Sequence, residues 1–550
     1  MIPVAEKFFR AAVPVLALAL ATVLVLVLLH SGPGARAEQV LVDSGPVAVA
    51  GEAHWSGLWQ SSHAGQRIAS YRGIRYAEPP TGARRWRAPH LLDPVPGNTD
   101  ASSFGAACMQ TSYNTDWYED VVRSFGGDPA LAPRPETVSE DCLFLNIWAP
   151  DGARALPVMV FVHGGNNLGG WSHEPNYHGT ELAAREVVVV SINYRLGVFG
   201  FFAHSQLRGE DPDGGPGNYG LLDQIAALQW VRQNIAGFGG DPARVTVFGE
   251  SAGGAAIGYL MASPRARGLF RYAIRQSGAF DFYDGGDLAA EETYGAQFQR
   301  DLGAAGIAQM RALPAAQILA QAQQTYLGDH AAEDQRNFYP VRDGRVLPHL
   351  PRDAYRRPLN GQALLIGFNR DESLMYVGPS VRADDLTNWW QQYFTGAMPQ
   401  IGALSPARPA RNRMAELQDA TWQDCSSAAV GELAARHSDM PVYLYRFDQL
   451  RGTMQDNPIG VYHGAELPYV FASHDAWLPT STADRRTTEV MLGYWTNFAK
   501  TGNPNGDGLP HWPRFHGDGP AMLLSAEPGA GSWDPDGLCA QRTVASALNR

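Results

Sequence analysis

Val245-Thr246-Val247-Phe248-Gly249-Glu250-Ser251-Ala252-Gly253 runs from an apolar, β-branched segment into a serine flanked by glycines, and Gly254-Ala255-Ala256 follows with small residues that suit the opening of a helix. A GxSxG between a strand and a helix makes a sharp turn that pushes the serine Oγ away from the backbone. Glycine on either side lets the chain fold back on itself without steric conflict. The stretch therefore marks Ser251 as a candidate nucleophile and Ala252, the residue after it, as a candidate backbone N–H donor. A glycine-rich turn with an incidental serine shares the letters but lacks the strand before and the helix after.

Working outward, Val158-Met159-Val160-Phe161-Val162 and the segment from Val187 to Ile192 are continuous apolar runs. Such runs are the pattern of parallel strands covered on both faces. Leu221 to Ile235 carries apolar residues at helical spacing, and Gly239-Gly240-Asp241-Pro242 turns the chain into the strand before Ser251. Downstream, Ala363-Leu364-Leu365-Ile366-Gly367 and Val442-Tyr443-Leu444-Tyr445-Arg446-Phe447 read as further buried strands, and Leu288 to Gln324 as largely helical. Alternation of strand and helix places the chain in the α/β class, whose ligands gather at the carboxyl ends of the strands.

A carbonyl attacked by serine becomes an oxyanion and needs N–H donors already in place. The loop His163-Gly164-Gly165-Asn166-Asn167 follows a core strand and suits that task. The amides of Gly165, Asn166 and Ala252 are the expected donors, with Gly164 shaping the loop. The hydroxyl also needs a base, and the base a carboxylate to fix its tautomer. In the order Ser, acid, His, the acid slot falls on Glu372 in Asn369-Arg370-Asp371-Glu372 and the base slot on His463 in Gly460-Val461-Tyr462-His463-Gly464. By pattern alone Asp371 serves as well as Glu372, and His463 is one of 15 histidines.

Bulk properties narrow the function classes. With 550 residues, 45% hydrophobic and 18% charged, the chain has the composition of a globular protein. The formal net charge of -12 argues against nucleic acid or an anionic membrane surface as a partner, since both need a basic footprint. No linker or repeat interrupts the chain after residue 40, so 38–550 is expected to be a single domain. The four cysteines, Cys108, Cys142, Cys425 and Cys539, lack the spacing of a zinc site, and neither a metal nor an organic cofactor is expected. An even count in an exported chain suits disulfides, with three pairings open.

Lys7 and Arg10 precede an uncharged, mostly apolar stretch from Ala11 to Leu29, and Ala35-Arg36-Ala37 offers a small-x-small cleavage site. Residues 1–37 are therefore read as a signal peptide cleaved after Ala37 or, as the alternative, an N-terminal anchor. In both cases the body of the protein is exported, periplasmic or secreted. The chain contains no Asn-X-Ser/Thr sequon.

Taken together these residues resemble the type-B carboxylesterases, the family that includes the cholinesterases, and the chain is closest in character to an exported bacterial carboxylesterase. Phe238-Gly239-Gly240-Asp241-Pro242 through Gly249-Glu250-Ser251-Ala252-Gly253-Gly254 is similar to the family's active-serine signature, and Glu140-Asp141-Cys142-Leu143-Phe144-Leu145-Asn146-Ile147-Trp148 to its second signature. Gly73 to Pro80, Asn218 to Gln224 and Asn497 to Pro504 extend the likeness over nearly the whole mature chain. The resemblance implies the α/β-hydrolase fold, a central mostly parallel sheet flanked by helices with helical insertions around the cleft. It further implies hydrolysis of small-molecule carboxylic esters through an acyl-enzyme, with Ser251, Glu372 and His463 as the triad. Glu466, after the His463-Gly464 pair, matches a family glutamate, and Ser277 in Gln276-Ser277-Gly278 matches a position that supports the histidine through a hydrogen bond. The family's N-terminal disulfide implies Cys108 to Cys142, leaving Cys425 to Cys539.

Three departures stand out. Where cholinesterases carry a tryptophan that holds a quaternary ammonium, this chain reads Leu131-Ala132-Pro133-Arg134-Pro135, so choline esters are not the expected substrates. Asn166 and Asn167 replace the small and aromatic residues many relatives carry in the oxyanion loop. Asparagine tolerates left-handed backbone, so Asn166 is expected to keep its amide donor while its side chain narrows the site. Ser373 replaces a glycine after the acid. Phe280, Phe282 and Tyr283 are candidates for the acyl pocket, although aromatic residues after a turn are more often core. A relative of this fold that binds without catalysis would lack a triad member, and here all three are present.

Overall fold

A computed structural model describes residues 45–211, 215–279, 286–327, 338–396, 409–452, 457–475 and 477–542. The expected signal segment 1–37 and the acyl-pocket candidates Phe280, Phe282 and Tyr283 lie outside the described residues.

Eleven strands form one sheet: β1 (Leu58–Ser61), β2 (Arg67–Arg75), β3 (Phe144–Pro150), β4 (Leu156–Val162), β5 (Val188–Ile192), β6 (Gly240–Glu250), β7 (Tyr272–Gln276), β8 (Ala363–Asn369), β9 (Val442–Phe447), β10 (Ala521–Leu524) and β11 (Gly529–Gly531). Their order across the sheet is β11-β10-β9-β8-β7-β6-β4-β5-β3-β2-β1. From β10 to β5 the pairing is parallel, and the outer strands β11, β3, β2 and β1 join antiparallel. The fold is the α/β-hydrolase fold that the family resemblance implied. The predicted strands hold their places, with β8 running two residues further to Asn369.

Apolar runs on both faces explain why these strands sit at the centre. Val158, Val160, Val190, Leu364, Ile366 and Leu444 join one core cluster, while their neighbours Met159, Phe161, Val189, Leu365 and Tyr443 join the other. This is the period of two of a strand buried on both sides, each side chain contributing about 1.5–3 kcal/mol on leaving water. Helix α1 (Tyr113–Ser124) lies within the loop bounded by Cys108 and Cys142. Helices α2 (Tyr219–Asn234), α3 (Ala252–Ala262), α4 (Ala315–Leu327) and α5 (Cys425–Ser438) contribute to the first cluster or pack on it, and α6 (Thr482–Thr501) covers the second with Met491, Trp495 and Phe498. The stretch from Leu288 to Gln324 is helical in three pieces, Leu288–Asp301, Ile307–Ala312 and α4.

Charge pairs, buried or half-buried, account for several motifs. Glu140 and Asp141 of the Glu-Asp-Cys motif take Arg85 and Arg75, the former through two bonds of 2.6 and 2.7 Å. Asp223 receives the fully buried Arg195 at 2.7 Å from both Nε and Nη2. Such forks fix orientation as well as charge, because the planar guanidinium matches the carboxylate.

Disulfides join Cys108 to Cys142 and Cys425 to Cys539, closing spans of 34 and 114 residues. A long closed loop removes much freedom from the unfolded chain. The double variant Cys425→Ser, Cys539→Ser should unfold with about 2–4 kcal/mol less stability in denaturant titration; a midpoint equal to that of the wild type would contradict a structural role for this bridge.

Candidate active site

The carboxyl ends of β4, β6, β7, β8 and β9 lie side by side, and each opens into a loop that carries a residue singled out above. After β6 the chain reverses at Ser251, whose backbone sits at φ 55° and ψ -126° before α3 begins at Ala252. A side chain rarely adopts that geometry, and the surroundings must hold it. They do so by contact: a Cβ at Gly253 would lie 2.0 Å from the Val162 carbonyl oxygen, and one at Gly249 would lie 2.7 Å from both Gly253 and Val162. The Ser251 amide donates to the Gln276 carbonyl at 2.9 Å, which ties the turn to β7.

His463 bridges the other two expected residues. Its Nε2 lies 2.7 Å from Ser251 Oγ and its Nδ1 lies 2.5 Å from Glu372 Oε2. Glu372 Oε1 accepts the Asn369 amide at 2.7 Å, so the carboxylate is anchored to the end of β8. Its neighbour Asp371 instead caps the loop before His463, accepting the Val461 amide at 2.9 Å. That contact separates the two carboxylates that sequence pattern left equivalent. Glu466 accepts from Asn369 Nδ2 at 2.6 Å and from Gln276 Nε2 at 2.9 Å, linking the His463 loop to β7 and β8. Ser277 differs from expectation. It ends β7 at φ 48°, and its buried Oγ finds no hydrogen-bond partner among the described residues, so it makes no bond to His463. Ser373 has no need of a glycine, since it is not among the positive-φ residues and its amide donates to Asp419 Oδ1 at 2.7 Å.

The loop after β4 adopts left-handed backbone at three consecutive positions, Gly165 at φ 96°, Asn166 at 56° and Asn167 at 55°. Gly164 packs on the turn itself, where a Cβ would meet the Glu250 carbonyl at 2.8 Å and the Ser251 Cβ at 3.0 Å. Gly165 and Asn166 line the same cavity as Ser251, and neither amide donates to a backbone carbonyl among the described residues. Ala252 opens α3, so its N–H belongs to the unpaired first turn. The Asn166 side chain stays in the cavity wall, where Oδ1 accepts the Tyr339 hydroxyl at 2.8 Å. His163, at the head of the loop, stacks on Tyr194, and burial pushes its pKa down to about 4, so it is a neutral structural ring.

Acidic groups crowd the base. Glu250 Oε1 is 3.4 Å from His463 Nε2 and has no other partner among the described residues. Burial raises the Glu250 carboxyl well above its ordinary range, with the nearby imidazole working against that rise. Burial also raises Glu466, and the Glu372 charge adds to it. For His463 burial opposes the charged form, yet Glu250, Glu372 and Glu466 outweigh it and lift its pKa to about 9.

The cavity above Ser251 encloses about 700 Å³. Several of its walls escaped the sequence reading. Trp117 on α1 donates from Nε1 to the Tyr376 hydroxyl at 3.0 Å, and the Tyr376 ring stands 6.4 Å from that of His463. Trp422, Gln423 and Arg542 form another side. An aromatic face therefore lines the cleft from α1, although Leu131 to Pro135 carries no tryptophan. Its only sequence signal was an amphipathic helix between two cysteines, which does not tell a cleft wall from a core helix.

Comparison with known proteins places the chain in a family. Residues 53–532 match the sequence model of the carboxylesterase family. The chain is 35% identical over 465 residues to the para-nitrobenzyl esterase of Bacillus subtilis, covering 82% of this chain and 89% of that one. It is 33% identical over 493 residues to the fumonisin B1 esterase of Sphingopyxis macrogoltabida, covering 84% of each. Among solved structures, a PNB esterase superposes with a TM-score of 0.73 at 30% identity, over 90% of this chain and 99% of that chain. With the family's sequence pattern and fold both extending over most of its length, the chain belongs to the carboxylesterase family, a family of ester hydrolases.

Proposed function

We propose that the protein hydrolyses small-molecule carboxylic esters in two acyl-transfer steps at Ser251. The observation that carries this reading is the position of His463, within hydrogen-bond reach of both Ser251 Oγ and Glu372. His463 Nε2 takes the hydroxyl proton as Oγ attacks the carbonyl, and then returns it to the departing alcohol. Water, deprotonated by the same nitrogen, then releases the acid. Glu372 holds the Nδ1–H tautomer and stabilises the imidazolium in between. The amides of Gly165, Asn166 and Ala252 receive the oxyanion, with Gly164 allowing the loop to lie against the turn. Glu466 acts behind Glu372 by fixing Asn369. No step calls for a metal or an organic cofactor.

The relatives named for para-nitrobenzyl and fumonisin B1 esters support a substrate larger than a simple acetate, and a cavity of about 700 Å³ has room for one. The mature protein is read as the single domain 38–550, exported after cleavage at Ala37. Two disulfides suit an oxidising compartment.

Four outcomes follow. Ser251→Ala should lower kcat/KM for a nitrophenyl butyrate by roughly a thousandfold or more with an unchanged circular dichroism spectrum; undiminished turnover would refute the assignment. The base works only when neutral, so kcat/KM should climb with pH through neutrality, reach half its maximum near pH 9 as His463 loses its proton, and level off above that. Glu250→Gln removes an anion that favours imidazolium and should move that climb to lower pH, and a profile that stays put would show that Glu250 does not set it. Finally, Edman sequencing of protein collected outside the cytoplasm should begin at Glu38, whereas an intact N-terminus would establish the anchored alternative.

A further inference from the structure

A second pocket of about 170 Å³ lies beside the reaction cleft, lined by Met109, Leu168, Leu196, Val198, Leu319 and Phe338 together with Ala322 of α4. Its wall is shared with the cleft along the chain: Asn166 faces the cleft and Leu168 the pocket, just as Tyr339 faces the cleft and Phe338 the pocket. Among the described residues Tyr113, at the start of α1, is the one that lines both spaces. Ser112 and Asp116, the polar groups next to it, satisfy each other at 2.7 Å and leave the rest of the lining mainly apolar.

We propose that Tyr113 is a specificity-determining residue, a partition that closes the reaction cleft from this apolar pocket and so limits the length of straight alkyl chain that the enzyme accepts. A mainly apolar space of that size has room for several methylenes. Nothing polar in a fatty chain repays desolvation, so the gain from entering comes from transfer out of water, about fourfold per methylene. With Tyr113 in place the chain meets a ring instead of the pocket, and that gain is not collected. The chain in question belongs to the acid or to the alcohol half of the ester, whose chemistry is the same.

The inference rests on the esterase reading of Ser251, and the test keeps the two apart. Wild-type turnover of nitrophenyl acetate, lost in Ser251→Ala, addresses that reading alone. For the inference, kcat/KM is measured on nitrophenyl acetate, butyrate, octanoate and decanoate and, separately, on acetates of ethanol, butanol and octanol. In Tyr113→Ala the octanoate-to-acetate ratio, or the octyl-to-ethyl ratio, should rise on the order of tenfold or more. A merely structural loss lowers both members of a ratio together and leaves it unmoved. Tyr113→Leu, a milder change, should shift the same ratio in the same direction by less, and stands in should Tyr113→Ala fail to fold. Adding Ala322→Phe fills the pocket and should abolish the gain. Ratios equal to those of the wild type in both series, or a gain that persists when the pocket is filled, would overturn the proposal.

Discussion

Everything at the carboxyl edge of this sheet depends on one close approach, that of Gly253 at the start of α3 to the Val162 carbonyl at the end of β4. No side chain fits between them, so the helix is drawn onto the strand and the turn before it is forced through Ser251 at φ 55°. The strain at Ser251 is of order 1–3 kcal/mol and is borne by neighbours on three strands. Through the amide bond to Gln276 the turn is fixed to β7, and through Gly164 it is pressed against the loop after β4. The positions of Ser251 and of the Gly165, Asn166 and Ala252 amides are thus set by backbone packing.

The base is governed by a different balance. A buried imidazole ordinarily resists protonation, but three carboxylates face this one, and the sum favours the cation. The imidazole is thus lifted to about 9, and at neutral pH the protonated form is favoured. The same carboxylates lower the energy of an imidazolium at His463. Glu250, 3.4 Å from Nε2, is the carboxylate whose charge favours that cation most.

Sequence made the local devices legible where chemistry confines the residue. The glycine-serine turn, the two-sided strands and the glycines after His163 each follow from a backbone that must bend or approach closely, and each sits where the pattern put it. Glu372 was another matter. Pattern left it level with Asp371, and only family likeness chose between them. The structure gives the physical reason, since Asp371 is already engaged by the Val461 amide. Ser277 shows the converse, because a serine at the matching place in the chain has its hydroxyl buried without a hydrogen-bond partner among the described residues. The cleft walls were not legible at all. Trp117, Tyr376, Trp422 and Arg542 come together from four distant segments, and nothing in their local sequence encodes that meeting.

Both disulfides fasten walls, not the sheet. Cys108–Cys142 encloses α1 with Tyr113 and Trp117, while Cys425–Cys539 ties the segment after Trp422 to the terminal stretch that carries Arg542. The reacting groups, by contrast, hang from strand ends that need no covalent help. Cleft walls and strand ends are thereby held independently, the former by covalent bridges and the latter by backbone packing, so slack in one need not loosen the other.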